Sequence, residues 1–225
     1  MCGRFVQYSD PEVYAGHFRA ELSSEGPGPR YNVAPTQRVL AVRQTQDGRR
    51  ELMSLRWGLV PAWSKGPDSR FQMISARAET VDTKPAYRNA FKHRRCLIPT
   101  EGFYDWKAEE HRKTPYLIRR SDGAPFAMAG LWETWKGPDG APLESRTVIV
   151  TDANARVRAL HDRMPVILAP EDYAAWLDPD NQDSAGLLRM LRLAEPAAWE
   201  VRQVSRKVNS PRNDSPDLVE PVAAP

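Results

Sequence analysis

The chain opens Met1-Cys2-Gly3, and its second residue offers the most distinctive chemistry. Initiator methionine is normally removed when the next residue is small, and cysteine qualifies. Loss of Met1 leaves Cys2 with an α-amine and a thiol two carbons apart on one residue. Free α-amines titrate near about 7.7–8.0 and thiols near about 8.5, so both are partly reactive around neutral pH. Such a 1,2-aminothiol condenses with an aldehyde. The amine forms an imine, and the thiolate then closes a five-membered thiazolidine ring. An internal cysteine cannot do this, because its nitrogen is an amide. Gly3 permits close backbone approach beside the thiol. Taken alone, however, a Met-Cys start reads more readily as a small hydrophobe tucked into the core.

The whole chain bounds what can surround that residue. At 225 residues it is long enough to bury a sizeable core, and 41% hydrophobic with 27% charged residues is ordinary for a soluble globular protein. A net charge of +3 is mildly basic, which allows a polyanionic partner without requiring one. No apolar stretch reaches the roughly 18 residues of a membrane span, and the first ten residues lack the apolar region of a secretory signal. With only Cys2 and Cys96, a disulfide framework is not expected, and the cytoplasm is the expected compartment. Cys96 enters an apolar run and reads as buried and inert. No arrangement of Cys and His pairs suits a metal, and no Gly-rich phosphate loop appears, so neither metal nor cofactor is expected.

The elements that must position the site follow from patterning. Ser9-Asp10-Pro11-Glu12 has capping-box spacing with Pro in the first turn, and Val13, Tyr14, His17, Phe18 and Leu22 continue an apolar stripe, so residues 10–22 are predicted helical. Runs at Val39–Arg43 and Glu51–Trp57 read as strands of a hairpin turning at Asp47-Gly48. A short helix fits 84–93, and Cys96–Ile98 and Gly102–Trp106 read as strands. Hairpins at Asp122-Gly123 and at Gly137-Pro138-Asp139-Gly140 would join Tyr116–Arg119, Phe126–Trp132 and Arg146–Thr151. Short helices are predicted near 153–160, 170–177 and 184–193. The pattern is α+β, built on antiparallel sheet with peripheral helices, and no linker divides it, so residues 1–225 read as one domain. The Pro-rich polar tail from about 208 to 225 is expected to lie along the surface or fray.

Several segments then change the weight of Cys2. MCGRF at the start is followed by YNVAPTQ from Tyr31, RWGLVPAW from Arg56, SARAET from Ser75, RRCLIPTEGFYDW from Arg94 and LHDRMPVIL from Leu160. In that order and at those separations the chain resembles the SRAP family (SOS-response-associated peptidases), the abasic-site-processing proteins. The similarity runs from Cys2 to the Val208–Pro221 tail. It implies a barrel-like antiparallel sheet and binding of abasic sites in single-stranded DNA. It also implies a thiazolidine crosslink between Cys2 and the ring-opened sugar, shielding the lesion during the DNA damage response. The peptidase label implies self-processing that exposes Cys2, and lyase activity by β-elimination from the imine is a further possibility of the same chemistry.

The resemblance also assigns residues. His161 matches the family's active-site histidine, and its ring suits proton transfer near neutral pH. Without the family it would read equally well as a histidine bonded to Asp162. Asp105 stands where the family has glutamate as its acid–base group, and is one methylene shorter. Otherwise it would be a solvated strand-end acid. Ser75 stands where the family has asparagine, and a hydroxyl lacks the amide's reach and paired geometry. Asn32 is a neighbour that could compensate. Arg77 matches a phosphate-contacting arginine, whose rigid fork suits phosphate oxygens. Arg4 and Arg163 could add to the same electropositive groove. Pro35 and Trp63 match apolar residues that wedge against bases flanking the lesion. Base–aromatic stacking contributes on the order of 1–3 kcal/mol per base and tolerates any sequence. Trp57 reads as core, and the run Lys92-His93-Arg94-Arg95 as a solvated helix end.

Two other functions fit parts of the pattern. An N-terminal-nucleophile amidohydrolase also begins Met-Cys-Gly, but its glutamine-binding pattern includes an Asn-Gly pair that this chain lacks. A non-catalytic single-stranded DNA binder would treat Ser75 and Asp105 as a decayed site, and would bind intact and abasic strands alike with steep salt dependence. The expected partner is single-stranded DNA containing abasic sites, with no membrane partner. The expected state is a cytoplasmic monomer, associated with the nucleoid when on DNA.

Overall fold

The computed structural model describes residues 3–23, 26–68, 72–110 and 112–222; Cys2 lies outside the described residues. In chain order the strands begin with β1 (Arg4–Gln7), β2 (Glu21–Leu22), β3 (Arg30–Val33), β4 (Arg38–Gln44), β5 (Arg50–Trp57), β6 (Ser75–Arg77) and β7 (Arg95–Thr100). They continue with β8 (Gly102–Glu109), β9 (Arg112–Arg120), β10 (Phe126–Lys136), β11 (Pro142–Asp152), β12 (Arg163–Pro165), β13 (Ile167–Leu168) and β14 (Trp199–Gln203). The helices are α1 (Pro11–Phe18), α2 (Arg88–His93), α3 (Tyr173–Leu177) and α4 (Ser184–Met190).

Two sheets result. One has the order β14-β9-β8-β1-β3, and the other β12-β11-β10-β7-β4-β5-β2. A parallel pairing of β5 with β11, Ser145 opposite Arg56 and Arg146 opposite Trp57, closes β11-β10-β7-β4-β5 on itself. The α+β, barrel-like architecture is therefore as expected. Period-2 alternation divides the core. On β7, Cys96 and Ile98 enter a cluster with Phe5, Trp57 and Phe103, whereas Leu97 faces a second cluster roofed by α1 and α3. Trp57 is fully buried, as expected, and donates its indole N–H to the Ile74 carbonyl (2.9 Å). The Arg146 guanidinium is buried beside the Trp57 and Phe5 rings, 4.7 and 5.0 Å from their centroids.

Long-range packing overrides several local signals. The Gly137–Gly140 hairpin joins β10 to β11 as predicted. The turn at Asp122-Gly123 forms, but β9 pairs with β8 and β14 while β10 pairs with β7 and β11, so it is a crossover between sheets. The predicted helix at 153–160 is a run of turns. The Asn154 side-chain oxygen accepts from the Arg156 and Val157 N–H groups (both 3.1 Å) as an N-cap does, and the Arg158 N–H bonds the Asn154 carbonyl (2.9 Å), so a single helical turn starts there and is not continued. Helix α1 stops at Phe18 because Arg19 turns left-handed (φ 51°), and Asp10 is its N-cap without a side-chain bond, so no capping box forms. Helix α2 starts only at Arg88, after a series of turns that includes Pro85, which restrains Lys84. The tail does not fray at its start. Val208 and Leu218 are fully buried against Tyr104 and Leu117. No helix among the described residues is long and apolar enough to cross a membrane.

Three contacts fix β1 and β8, the strands nearest the expected chemistry. The buried Gln7 side chain accepts from the Leu40 N–H (2.8 Å) and donates to the Leu40 and Pro99 carbonyls (3.0 and 2.8 Å), tying the first sheet to β4 and β7. Glu101, buried between β7 and β8, accepts from the Tyr8 N–H (3.1 Å) and the Tyr14 hydroxyl (2.5 Å). Gly102 opens β8 so close to β9 that a Cβ would stand 2.9 Å from the Ile118 carbonyl oxygen.

Candidate active site

Asp105 sits on β8, opposite Tyr116 of β9, and its neighbour Tyr104 pairs with Arg4 of β1. The alternation of β8 turns Asp105 inward, and it is only 3% exposed. Its Oδ1 accepts from the Trp106 N–H (2.9 Å), while its buried Oδ2 has no hydrogen-bond partner among the described residues. Burial raises the pKa of this carboxyl, against the opposing pull of the Trp106 N–H bond and nearby His161.

His161 approaches from the other sheet, in the bend leading into β12. Its Nδ1 accepts from the Arg163 backbone N–H (3.0 Å). The Asp162 Oδ1 lies 2.6 Å from the same Nδ1.

The two residues meet in a cleft of about 350 Å³ lined by Asp105, Trp106, Lys113, His161 and Asn209. On its far side His161 also lines a second cleft of about 620 Å³, with Ser75, Arg77, Lys84, Tyr87 and Arg163 among its walls. Strand β6 runs parallel to β11, Ser75 opposite Val148 and Arg77 opposite Val150, which brings both residues to that wall. The Tyr87 hydroxyl donates to the Ser75 carbonyl (3.2 Å). Arg77 is exposed. Arg163 is ion-paired to Glu79 and lies 3.5 Å from Asp152.

Trp63 stands apart and is 70% exposed. It forms a wall between a cleft of about 760 Å³ beside Arg56, Gly58 and Lys65 and a smaller one against α2. Pro35 is half-buried in the turn after β3. There Thr36 adopts φ 76°, unusual for a β-branched residue, and its N–H is held by the Trp57 carbonyl (2.8 Å). Asn32 and Arg4 are engaged elsewhere. Asn32 is fully buried, its amide nitrogen lies 2.8–3.1 Å from the carbonyls of Val208, Ser210 and Asn213, and its oxygen accepts from Arg4 (2.9 Å). Arg4 also donates to the Val208 carbonyl (2.9 Å), and burial lowers its pKa. Asn32 therefore anchors the tail and is not at the cleft beside Ser75. Cys96 is fully buried, which pushes its thiol up to about 12.

Trp106, Lys113, Asn209, Lys84 and Tyr87 are cleft residues that the sequence reading did not single out. Trp106 lay within the GFYDW block and was detectable there. Asn209 is delivered by the docked tail, for which no local signal exists.

A family model described as SOS response associated peptidase (SRAP) matches residues 1–211. The chain belongs to the SRAP family. The match includes every candidate residue from Cys2 to Arg163 and reaches Asn209. Among SRAP relatives, the abasic site processing protein YoqW of Bacillus subtilis is 41% identical over 223 residues, covering 98% of this chain and 99% of its own. The abasic site processing protein YoaM of the same organism is likewise 41% identical over 223 residues, covering 98% of each. A crystal structure of a protein from Bacteroides thetaiotaomicron superposes with a TM-score of 0.88 over 99% of this chain and 100% of its own. At 23% identity, that likeness speaks for the fold alone.

Proposed function

We propose that this protein captures abasic sites in single-stranded DNA as a covalent thiazolidine on Cys2, after loss of Met1. Its relatives YoqW and YoaM carry the name abasic site processing protein. The observation that carries the reading is the pairing of Arg4 with Tyr104, the neighbour of Asp105. Arg4 is two residues from Cys2, and two residues of chain span at most about 7 Å. The strand that continues from the amino terminus is therefore held beside the strand that bears the buried carboxyl.

The chemistry assigned to each group balances as follows. The Cys2 amine adds to the aldehyde of the ring-opened sugar, and the resulting carbinolamine loses water to give the imine. The Cys2 sulfur then adds to the imine carbon, and the nitrogen takes up the proton released by the thiol. Asp105, whose buried environment favours the neutral acid, donates the proton that lets the sugar ring open or water depart. His161 relays protons between the thiol and the nascent amine. The Ser75 hydroxyl orients the opened sugar, Arg77 holds a backbone phosphate, and Trp63 stacks on a flanking base, with Pro35 as a second apolar wedge. Arg163, once released from Glu79, adds to the phosphate contacts. Arg4 and Asn32 serve as anchors of the tail beside the site. Removal of Met1 by self-processing belongs to the same proposal, as does a competing β-elimination from the imine.

Intact-mass measurement tests this. Purified protein lacking Met1 is expected to gain the mass of an abasic single-stranded oligonucleotide less water, and Cys2→Ala is expected to gain nothing. A Cys2→Ala protein that crosslinks equally well would refute the reading.

A further inference from the structure

We propose that Asn209 is a substrate-binding residue of the Asp105 cleft, donating a side-chain amide N–H to an oxygen of the bound DNA. This rests on the reading of the cleft as the site of the abasic sugar.

Asn209 belongs to the segment that follows β14 and lines the cleft with Asp105, Trp106, Lys113 and His161. The Trp106 indole Nε1 lies 2.7 Å from the Asn209 Oδ1. An indole N–H can only donate, so the carboxamide must turn its oxygen toward Trp106. The flipped amide would set donor against donor. The NH₂ end is therefore the end left for the cleft and solvent. Among the described residues, the Asn209 Nδ2 makes no hydrogen bond.

The backbone that carries this amide is held as firmly as the side chain. The Val208 carbonyl accepts from Arg4 (2.9 Å) and from Asn32 (3.1 Å), and the Asn209 carbonyl lies 3.5 Å from the Arg4 Nη2. The Val208 side chain is fully buried. Asn209 is thus a donor whose orientation is set before any ligand arrives, the condition under which a hydrogen bond contributes most to binding. An oriented neutral donor, with the Lys113 amine in the same wall, suits an oxygen-rich ligand. A hydroxyl or phosphate oxygen of an opened deoxyribose has that chemistry.

Asn209→Asp keeps an acceptor for the indole and removes the donor, whereas Asn209→Ala removes both. Two measurements run in parallel on protein lacking Met1. One is the single-turnover rate of adduct formation with an abasic single-stranded oligonucleotide. The other is equilibrium binding of an oligonucleotide whose abasic site has been reduced and cannot form an imine. Both variants are expected to react, and to bind the reduced lesion, about five-fold more weakly than wild type, as one lost hydrogen bond predicts. The Asn209→Asp deficit should persist at high salt, where its added charge is screened. Wild-type rate and affinity in Asn209→Asp at high salt would overturn the proposal. Absence of any adduct from wild type would instead overturn the covalent reading, and the reduced-lesion binding would still decide the role of Asn209.

Discussion

His161 and Asp105 face one cleft from two different sheets. Asp105 stands on β8 of the five-stranded sheet, and His161 stands in the bend that leads into β12 of the closed sheet. Their spacing is therefore set by how the sheets pack, through Gln7 and the Phe5–Trp57 contact at 5.0 Å, and by no single local element.

The His161 imidazole is expected to move protons and to contribute little to DNA affinity. Replacing it with glutamine, which is similar in size but cannot shuttle a proton, should slow adduct formation by about 10²–10⁴-fold. Binding of a reduced abasic oligonucleotide should be nearly unchanged. Single-turnover kinetics beside equilibrium binding separates the two.

Asp105 makes stability depend on pH with a defined sign. Its folded-state pKa is raised above the ordinary aspartate value, so the folded protein holds this proton more tightly than the unfolded chain. Stability from this group is greatest below the ordinary aspartate range near about 3.9. It falls as pH rises through the raised folded value. Asp105→Asn should therefore match wild type in acid and exceed it at neutral pH, as denaturant titrations across that window would read. A difference that is constant with pH would count against an ionisable Asp105 as the cause.

Trp63 should matter to DNA and not to folding. Being 70% exposed, it can lose its ring with little cost to the core. Trp63→Ala should weaken single-stranded DNA binding by about 1–3 kcal/mol. The thermal midpoint should stay within error of wild type.

Arg77 and Arg163 should differ although both line the second cleft. Arg77→Ala should weaken binding and reduce the slope of log affinity against log salt by about 0.7, the share of one phosphate on a single strand. Arg163 is paired with Glu79, so Arg163→Ala should change the slope less, and Glu79→Gln should steepen it. Fluorescence anisotropy over a salt series measures all three.

Thiol titration should find one reactive cysteine in the folded protein lacking Met1 and two after unfolding. Cys96 is fully buried and its thiol is pushed up to about 12. A native Cys96 that reacts with a thiol reagent on the timescale of Cys2 would contradict that burial.

The strands were legible wherever alternation and a glycine turn coincided, as at β4, β5, β10 and β11. Partner choice was not. The Asp122-Gly123 turn looks local like any hairpin turn, yet β9 is taken by β8 and β14, and nothing within a few residues of Gly123 encodes that. The helix expected at 153–160 is cut to turns: Asn154 caps its start and the Arg158 N–H bonds the Asn154 carbonyl, but by Leu160 the N–H bonds only three residues back, to Val157. Asp105, His161, Ser75 and Arg77, which line the two clefts, stand out in motif blocks because each lies within a short ordered string. Asn209 and Lys113 do not, because they reach the cleft only through the docked tail and the β8–β9 hairpin. Nothing in YNVAPTQ reveals that the Asn32 amide meets carbonyls from residues 208–213.

That clasp also sets a timetable. Arg4 and Asn32 leave the ribosome early, while Val208, Ser210 and Asn213, which they hold, are made long afterwards. A nascent chain stalled before residue 208 carries its amino terminus, Asp105 and His161, but not the wall that closes around them. The cleft wall that Asn209 supplies beside Asp105 and His161 is thus completed only when nearly the whole chain has been made.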